Sequence, residues 1–502
     1  MSDKKVNLKY CLWLPIILAV TVFLWVVPTD FFGLGYTDDG GVQHLLTVTQ
    51  KRCIAIFAFA ALMWIFEIVP NWVTSLIVIV GSLLTISSKS FGFCMTPTAF
   101  DAAGKATAYA EGTFVPYTEI MRSFADPVVM LFLGGFVLAI VASKYGMDVT
   151  MARILMKPFG KKPQFVLLGV LLVISIFSML MSNTATAAMF VAFLAPVFAA
   201  LPDADAKGKT GLALAIPVAA NIGGIGTPIG TPPNATAKGI LESNGIDVSF
   251  GEWAIRMIPF VIIMILLAWV LLRIMFPFKS KEITLEIKKN EKKADWRTYV
   301  AWITFGVTIL LWMTEQLTKI NANIVALIPL AVYTATGVFT TEDIKEINWS
   351  VLWLVAGGFA LGYALDKTGL ASLLVHSLPF GSMSIVLVFV IAGMVCWILS
   401  NFISNSATAA LLVPIMVAIG KGFAASEKAA EFAGFGGLSA LAIFVAVCAS
   451  LAMLLPISTP PNAIASSTGL VKTSDMTKVG LIVGVVGLVL GFFWITKFFP
   501  FA

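Results

Sequence analysis

Ser182-Asn183-Thr184-Ala185-Thr186-Ala187-Ala188 returns later in the chain as Ser404-Asn405-Ser406-Ala407-Thr408-Ala409-Ala410, and Thr231-Pro232-Pro233-Asn234 returns as Thr459-Pro460-Pro461-Asn462. All four stretches interrupt long apolar runs. Outward from them the correspondence continues. Gly134-Gly135-Phe136, with Lys144 beyond it, is matched by Gly357-Gly358-Phe359 with Lys367, and Trp64-Ile65-Phe66-Glu67 is echoed by Trp312-Met313-Thr314-Glu315. From Gly134 onward the separation between copies is nearly constant, which marks an internal duplication rather than coincidence.

The composition around these motifs excludes a soluble globule. Of 502 residues, 59% are hydrophobic without counting glycine and 12% are charged, against roughly 45–50% apolar and about 25% charged in soluble domains. Water offers no place for so much apolar surface, so soluble enzymes and nucleic-acid binders are ruled out and a polytopic helical membrane protein is implied. The net charge of +6 is no nucleic-acid signal, because the basic residues sit in loops that flank apolar runs. The cysteines Cys11, Cys53, Cys94, Cys396 and Cys448 are odd in number and lack metal-ligand spacing, so they read as packing residues rather than a disulfide framework. The Lys-rich Met1–Lys9 segment precedes an apolar run without a small-residue cleavage site, and reads as a retained first span.

A spanning helix needs about 20 mostly apolar residues. Continuous candidates are 10–28, 52–69, 72–88, 127–144, 252–277, 298–313, 322–338, 349–366 and 475–498. The runs 163–201, 209–242, 382–422 and 438–472 are each broken near the middle by polar, Gly or Pro residues, which suggests two re-entrant hairpins and two broken helices. Lys279, Lys281, Lys288, Lys289, Lys292, Lys293 and Arg297 fill the 278–297 linker, and Lys4, Lys5 and Lys9 lie at the N-terminus. The positive-inside rule places both in the cytoplasm. If the hairpins return to their own side, eleven crossings result and the C-terminus lies outside. Each copy then holds an odd number of crossings, so the second is inverted. The expected division is an N-terminal span and external loop over 1–50, a first repeat over 51–277, the basic linker 278–297, and a second repeat over 298–502. Inverted repeats with broken helices are the architecture of secondary transporters, with the site at the repeat interface.

The breaks offer matching chemistry. Ser182 and Ser404 are N-cap residue types that begin helices, and the free amides of a helix start favour anions. The Gly226–Asn234 and Leu455–Asn462 segments cannot be continuous helix because of their prolines, so they expose carbonyl oxygens suited to a small hard cation. The hydroxyls of Ser178 and Ser400, one turn before each tip serine, can complete such a cage. None of the four breaks holds Lys, Arg, His, Asp or Glu. A helix start contributes roughly 0.3–1 kcal/mol towards an anion, about 2 when partly buried, which is little against desolvating two carboxylates. Co-bound cations are therefore the expected compensation. Ser, Thr and Asn in membrane helices often do no more than bond a neighbouring helix, but four breaks in two matched pairs favour a site. Glu67 and Glu315 read as structural residues near helix ends, Asp366 with Lys367 as a boundary pair, and His44 and His376 as loop residues without ligand partners. The tip serines have no base near them in sequence, which argues against an intramembrane hydrolase. A passive channel is disfavoured by the duplicated hairpins.

Paired SNT-type tips and paired TPPN breaks on a duplicated chain resemble the divalent anion:sodium symporter family, from about residue 50 to the end. The resemblance implies an all-α membrane protein of eleven transmembrane helices and two re-entrant hairpins, working as a homodimer. Spans 1–3 and 7–9 would form scaffold and dimer contacts, and the hairpins with the broken helices would move as an elevator. It implies sodium-coupled symport of dicarboxylates such as succinate, malate or fumarate, with tricarboxylates also open, no organic cofactor, and no enzymatic activity. By matching positions, one sodium ion would be held by Ser178, Ser182, Asn183 and the Gly230 carbonyl, and another by Ser400, Asn405 and the Ser458 carbonyl. The substrate carboxylates would meet Ser182, Asn183, Thr184, Ser404, Asn405, Ser406, Thr459 and Pro460. Ser406 departs from the Thr of well-known members. The competing readings are a sodium-independent dicarboxylate exchanger, whose branch has eroded TPPN segments and basic residues at the tips, and a sulfate carrier. A plasma membrane or bacterial inner membrane is the expected location.

Overall fold

The computed structural model describes residues 3–37, 41, 43–95, 97–100, 106–109, 114–283, 295–377 and 383–501, with side chains from residue 12 onward except at 97–100, 106–109, 375 and 376. Lys288, Lys289, Lys292 and Lys293 of the linker, the first residue of the expected 382–422 hairpin, and the side chains of Lys4, Lys5, Lys9, Cys11 and His376 lie outside the described residues.

The principal helices are α1 (Asp3–Val26), α2 (Val48–Phe66), α3 (Asn71–Thr85), α4 (Pro127–Lys144), α5 (Pro163–Leu180), α6 (Asn183–Ala200), α7 (Ala206–Gly224), α8 (Pro232–Ser243) and α9 (Phe250–Met275). They continue with α10 (Trp296–Met313), α11 (Ala322–Ala335), α12 (Trp349–Lys367), α13 (Ile385–Phe402), α14 (Asn405–Ala424), α15 (Gly437–Ser450), α16 (Pro460–Ser467) and α17 (Thr473–Phe493). Short helices and two small two-stranded sheets, Gly35–Thr37 with Gln43–Leu45 and Pro97–Phe100 with Ala106–Tyr109, fill the connections. Among the described residues, nine helical segments are long and apolar enough to cross a membrane, and α3, α11 and α15 are shorter.

The starts follow from the sequence. Proline occupies the first turn of α4, α5, α8 and α16, where its missing N–H costs nothing. Thr47 and Gln50 close a capping box ahead of α2. Two expected spans differ in detail. The 322–338 run breaks at Ala326 into Ala322–Val325 and Leu327–Ala335, and the end of the 475–498 run widens into a π turn over Trp494–Phe498.

Apolar burial does not by itself drive helices together in lipid, and close approach of small residues does. Here the Gly-Gly-Phe motifs act in matched fashion. A Cβ on Gly134 of α4 would stand 2.2 Å from the Ala326 carbonyl oxygen in the second copy, and one on Gly357 of α12 would stand 2.4 Å from Ser75 Cβ in the first. Each motif thus lets its helix meet a helix of the other copy. The buried indoles match as well: Trp64 donates to the Asn71 carbonyl at 3.2 Å and Trp312 to the Ala322 carbonyl at 3.0 Å. Glu315 accepts the Phe250 and Ala322 amides at 2.8 and 2.9 Å, a structural role. Asp366 pairs with Lys421 at 2.8 Å and with Lys367 at 3.7 Å.

Candidate functional site

Each tip is a helix end followed at once by a helix start. Met181 leaves α5 in an extended conformation, Ser182 stays extended, and its hydroxyl accepts the Ala185 amide at 3.2 Å to cap α6. Ile403 and Ser404 repeat this geometry, with the Ser404 hydroxyl accepting the Ala407 amide at 3.1 Å to cap α14. Such a cap satisfies one orphan amide of the first turn and leaves the others for a ligand.

The breaks are closed by the asparagine of each TPPN segment. The Asn234 amide donates to the carbonyls of Gly224, Ile225 and Thr227 at 3.0, 3.3 and 2.8 Å. The Asn462 amide donates to those of Met453 and Leu455, both at 2.9 Å. Breaks and tips are tied at equivalent carbonyls but by different donors: the Thr227 hydroxyl donates to the Met179 carbonyl, and the Ser458 hydroxyl, which replaces Gly230 in the repeat, to the Asn401 carbonyl at 2.9 Å. One asymmetry separates the copies. Asn221 donates to Thr459 Oγ1 at 3.2 Å and to Asn462 Oδ1 at 3.3 Å, joining the first copy to the second break. Its counterpart in the TPPN register is Ala449, and Asn234 Oδ1 is correspondingly left without a partner.

Tips and breaks meet around a cavity of about 310 Å³. Ser182, Asn183, Thr184, Ser404, Asn405, Ser406, Thr459 and Pro460, all expected at the carboxylates, line it, as do Gly230 and Ser458. Ser178 and Ser400 do not; both are fully buried and outside the lining. No described lining residue carries a charge. Sequence reasoning missed Asn71, Trp72, Phe132, Asn221, Asn348 and Ser350 among the lining residues, and quoted Phe136 only as a repeat marker. Asn71 donates to Ser404 Oγ at 2.9 Å, and Asn348 caps α12 by accepting the Val351 amide at 3.3 Å.

Beside the first tip, oxygens converge. Asn183 Oδ1 lies 2.6 Å from Ser178 Oγ, 3.2 Å from the Ala220 carbonyl and 3.0 Å from the Gly230 carbonyl, and Ser178 Oγ lies 2.7 Å from Ala220 O. The Ser178 hydroxyl supplies the one proton among these four. Turned by half a revolution, the Asn183 amide presents its nitrogen and donates to the other three. One side chain can therefore close the cluster on itself, or offer an all-oxygen shell of the kind hard cations take. Glycine is required around it, since a Cβ on Gly224 would stand 2.7 Å from Asn183 Oδ1 and one on Gly230 would stand 2.4 Å from the Gly224 carbonyl oxygen.

Beside the second tip the equivalent atoms are poorly satisfied. Ser400 Oγ and Asn405 Oδ1 are buried, and no described nitrogen or oxygen group bonds them. The Cys396 sulfur is the partner of the Ser400 hydroxyl, and the Cys396 thiol itself donates to the Val445 carbonyl, 3.3 Å away. Buried polar atoms without good partners cost free energy; Asn405 Oδ1 has none among the described residues and Ser400 Oγ has only a sulfur, which suits both to a cation.

Residues 61–436 match the family described as CitMHS, citrate transporter. The chain is 28% identical over 529 residues to the sodium-dependent dicarboxylate transporter SdcS of Staphylococcus saprophyticus, covering 97% of this chain and 92% of that protein. It is 30% identical over 447 residues to an uncharacterized transporter of Schizosaccharomyces pombe, and 28% identical over 476 residues to an inorganic phosphate transporter of Saccharomyces cerevisiae. Those alignments cover 86% and 91% of this chain, which spans about half, 48%, of the length of each yeast relative. The crystal structure of the YdaH transporter of Alcanivorax borkumensis shares the fold, with a TM-score of 0.52 and 14% identity over 84% of this chain and 97% of that one. With its motifs, its helices and this family match taken together, the chain belongs to the citrate transporter family within the divalent anion:sodium symporters, and is a multi-pass membrane transporter rather than an enzyme.

Proposed function

We propose that the protein couples the movement of sodium to that of a dicarboxylate such as succinate, malate or fumarate, with a tricarboxylate as the larger alternative cargo. The observation that carries this reading is an uncharged cavity onto which the starts of α6, α8, α12, α14 and α16 all open, backed by buried oxygens at Ser178–Asn183 and Ser400–Asn405. Helix starts offer an anion roughly 0.3–1 kcal/mol each, about 2 when partly buried. Removing each carboxylate from water costs several kcal/mol. Cations must supply the remainder, and oxygen-only clusters select hard ones. Sodium is also the ion in the name of the staphylococcal relative. At about 310 Å³ the cavity lies at the small end of ligand sites, ~300–1,000 Å³, which favours a small organic acid.

In this reading Ser178, Ser182, Asn183 and the Gly230 carbonyl hold one sodium ion, joined by the Ala220 carbonyl, and Ser400, Asn405 and the Ser458 carbonyl hold another. The carboxylates meet Ser182, Asn183, Thr184, Ser404, Asn405, Ser406, Thr459 and Pro460. The chain crosses eleven times as two inverted repeats, 51–277 and 298–502, with its N-terminus in the cytoplasm and C-terminus outside. Asn348 follows the loop that contacts Lys144 through the Val338 carbonyl at 3.0 Å, and a Cβ on Gly337 of that loop would lie 3.6 Å from Arg297. The cavity thus lies toward the end bearing the basic linker, which supports a cytoplasm-facing site. The tips and breaks move as an elevator against α1–α3 and α10–α12, and the scaffold pairs with that of a second copy.

The test is labelled succinate entering proteoliposomes in competition with unlabelled acids, with counterflow run in sodium and in choline. Competition by dicarboxylates above phosphate and sulfate, and counterflow that needs sodium, are expected. Equal competition by phosphate or sulfate would make the cargo an inorganic anion, and full counterflow in choline would make the protein an exchanger.

A further inference from the structure

A second cavity, about 360 Å³, lies at the end of the molecule that carries the basic linker and is lined by Lys162, Arg273 and Lys281. It sits between the start of α5, the end of α9 and the segment 277–281. None of its described lining residues is acidic, and none of the three cations forms an ion pair among the described residues.

Its walls are fastened. The Ile283 amide donates to the Lys161 carbonyl at 2.8 Å, and the Trp269 indole donates to the Gln164 carbonyl at 2.8 Å. Buried Asp205 accepts the Lys279 and Ser280 amides at 2.5 and 3.1 Å and the Ser280 hydroxyl as well, so its oxygens are committed to the wall. The Phe278 ring fills the space where a Cβ on Gly208 would stand 2.3 Å away. The Arg273 guanidinium is held 5.7 Å above the Trp269 ring. Three positive charges therefore share a fixed frame, and the nearest carboxylate on it, Asp205, is turned into hydrogen bonds with the wall and forms no ion pair with them, so an anion in the cavity gains from all three.

The surface beside the cavity is apolar. Ile262, Leu266, Val270 and Ile274 are exposed and spaced four residues apart, forming one aliphatic row along α9 that ends next to Arg273. Such rows also mark the outer faces of other spans, as at Val386, Val390, Met394 and Ile398; here one ends at the basic cavity, so an acyl chain along it brings its headgroup to the three cations. We propose that this cavity binds the phosphoryl headgroup of an anionic phospholipid from the cytoplasmic leaflet, with an acyl chain along the α9 row. Basic recesses at the cytoplasmic ends of membrane helices suit such headgroups.

The experiment titrates dioleoyl phosphatidylglycerol, or phosphatidylcholine as comparison, into the detergent-purified full chain and reads bound lipid by native mass spectrometry. Phosphatidylglycerol should bind in preference to phosphatidylcholine. Each of Lys162→Gln, Arg273→Gln and Lys281→Gln should weaken it by about five-fold and the triple variant by about a hundred-fold. Lys207→Gln with Lys279→Gln, on the same end but outside the lining, should weaken it far less. All three cations are exposed, so monodisperse variants are expected. A triple variant that binds like the unmodified protein would overturn the proposal. So would an equal loss in the Lys207/Lys279 pair, which would mean diffuse surface attraction. Displacement of the lipid by glycerol 3-phosphate at equal concentration would assign the cavity to a soluble phosphate instead.

Discussion

Ser178→Ala and Ser400→Ala remove the same atom from equivalent places, yet the structure predicts opposite effects without sodium. The Ser178 hydroxyl lies 2.7 Å from the Ala220 carbonyl and 2.6 Å from Asn183, so its loss removes a net hydrogen bond worth about 0.5–1.5 kcal/mol. The Ser400 hydroxyl is fully buried with only the Cys396 sulfur as a partner, a weak acceptor that recovers little of its lost hydration. Deleting it relieves a desolvation penalty of roughly 1–3 kcal/mol, set against a small void. In choline buffer, Ser178→Ala should therefore melt below the unmodified protein and Ser400→Ala at or above it. Adding sodium reverses the second result, because stabilisation by a bound ion grows with the logarithm of its concentration over its dissociation constant. Loss of one oxygen ligand costing about 1–3 kcal/mol raises the sodium needed about 5- to 150-fold, so both variants should stabilise only at much higher sodium. The assay is the melting temperature of purified protein across a sodium series at constant ionic strength. If Ser400→Ala melts as low as Ser178→Ala in choline, or keeps its full response to sodium, then the Ser400 hydroxyl is not a ligand and the reasoning fails.

Asn183→Ala and Asn405→Ala should each abolish succinate uptake while leaving an extractable, monodisperse protein; uptake near the unmodified level in either would remove that tip from the site. Gly224→Ala places a methyl 2.7 Å from Asn183 Oδ1 and should lower uptake at limiting sodium at least ~10-fold, by the loss of about 1.4 kcal/mol or more, with expression retained. Gly134→Ala, whose Cβ meets backbone 2.2 Å away, should lower the yield of folded protein instead, as immunoblots of detergent extracts would show. Burial pushes the Asp343 carboxyl up, but the Lys144 ammonium at 2.5 Å and the Thr340 amide and hydroxyl hold it below the usual carboxylate range. A depressed folded value means stability that is present above the unfolded value of about 3.9 and lost as pH falls through the folded one. Asp343→Asn should therefore lower the melting temperature at pH 7 and cease to matter in strong acid; an unchanged melting temperature at pH 7 would contradict this.

The sequence announced the breaks because Pro, Gly and Ser-Asn stretches are conspicuous inside apolar runs, and duplication made each visible twice. Hence the tip starts at Ser182 and Ser404, the interruptions before Pro232 and Pro460, and the cavity lining fell where the motifs placed them. The residues that escaped carry no such mark. Asn71 opens an ordinary apolar helix, and its bond to Ser404 joins positions far apart in the chain. The Ala220 carbonyl is a backbone group, which no residue type advertises. Asn221 has Ala449 as its counterpart, so looking for pairs discards it. Asn234 and Asn462 were visible as letters, but their work of closing the break on its own carbonyls requires the fold of the break itself. The split at Ala326 was legible and was overlooked: Pro329 has no N–H for the Val325 carbonyl four residues back and its ring crowds that carbonyl, so the helix breaks there.

The central claim, that sodium rather than a basic side chain carries the dianion's charge through the site, is tested most directly by concentrative uptake. Proteoliposomes containing purified protein and no internal substrate are given labelled succinate with an inward sodium gradient, and separately with potassium or choline at the same ionic strength. Accumulation above the external concentration with sodium, and only leak without it, is the predicted result. Equal accumulation in sodium-free medium would contradict the account.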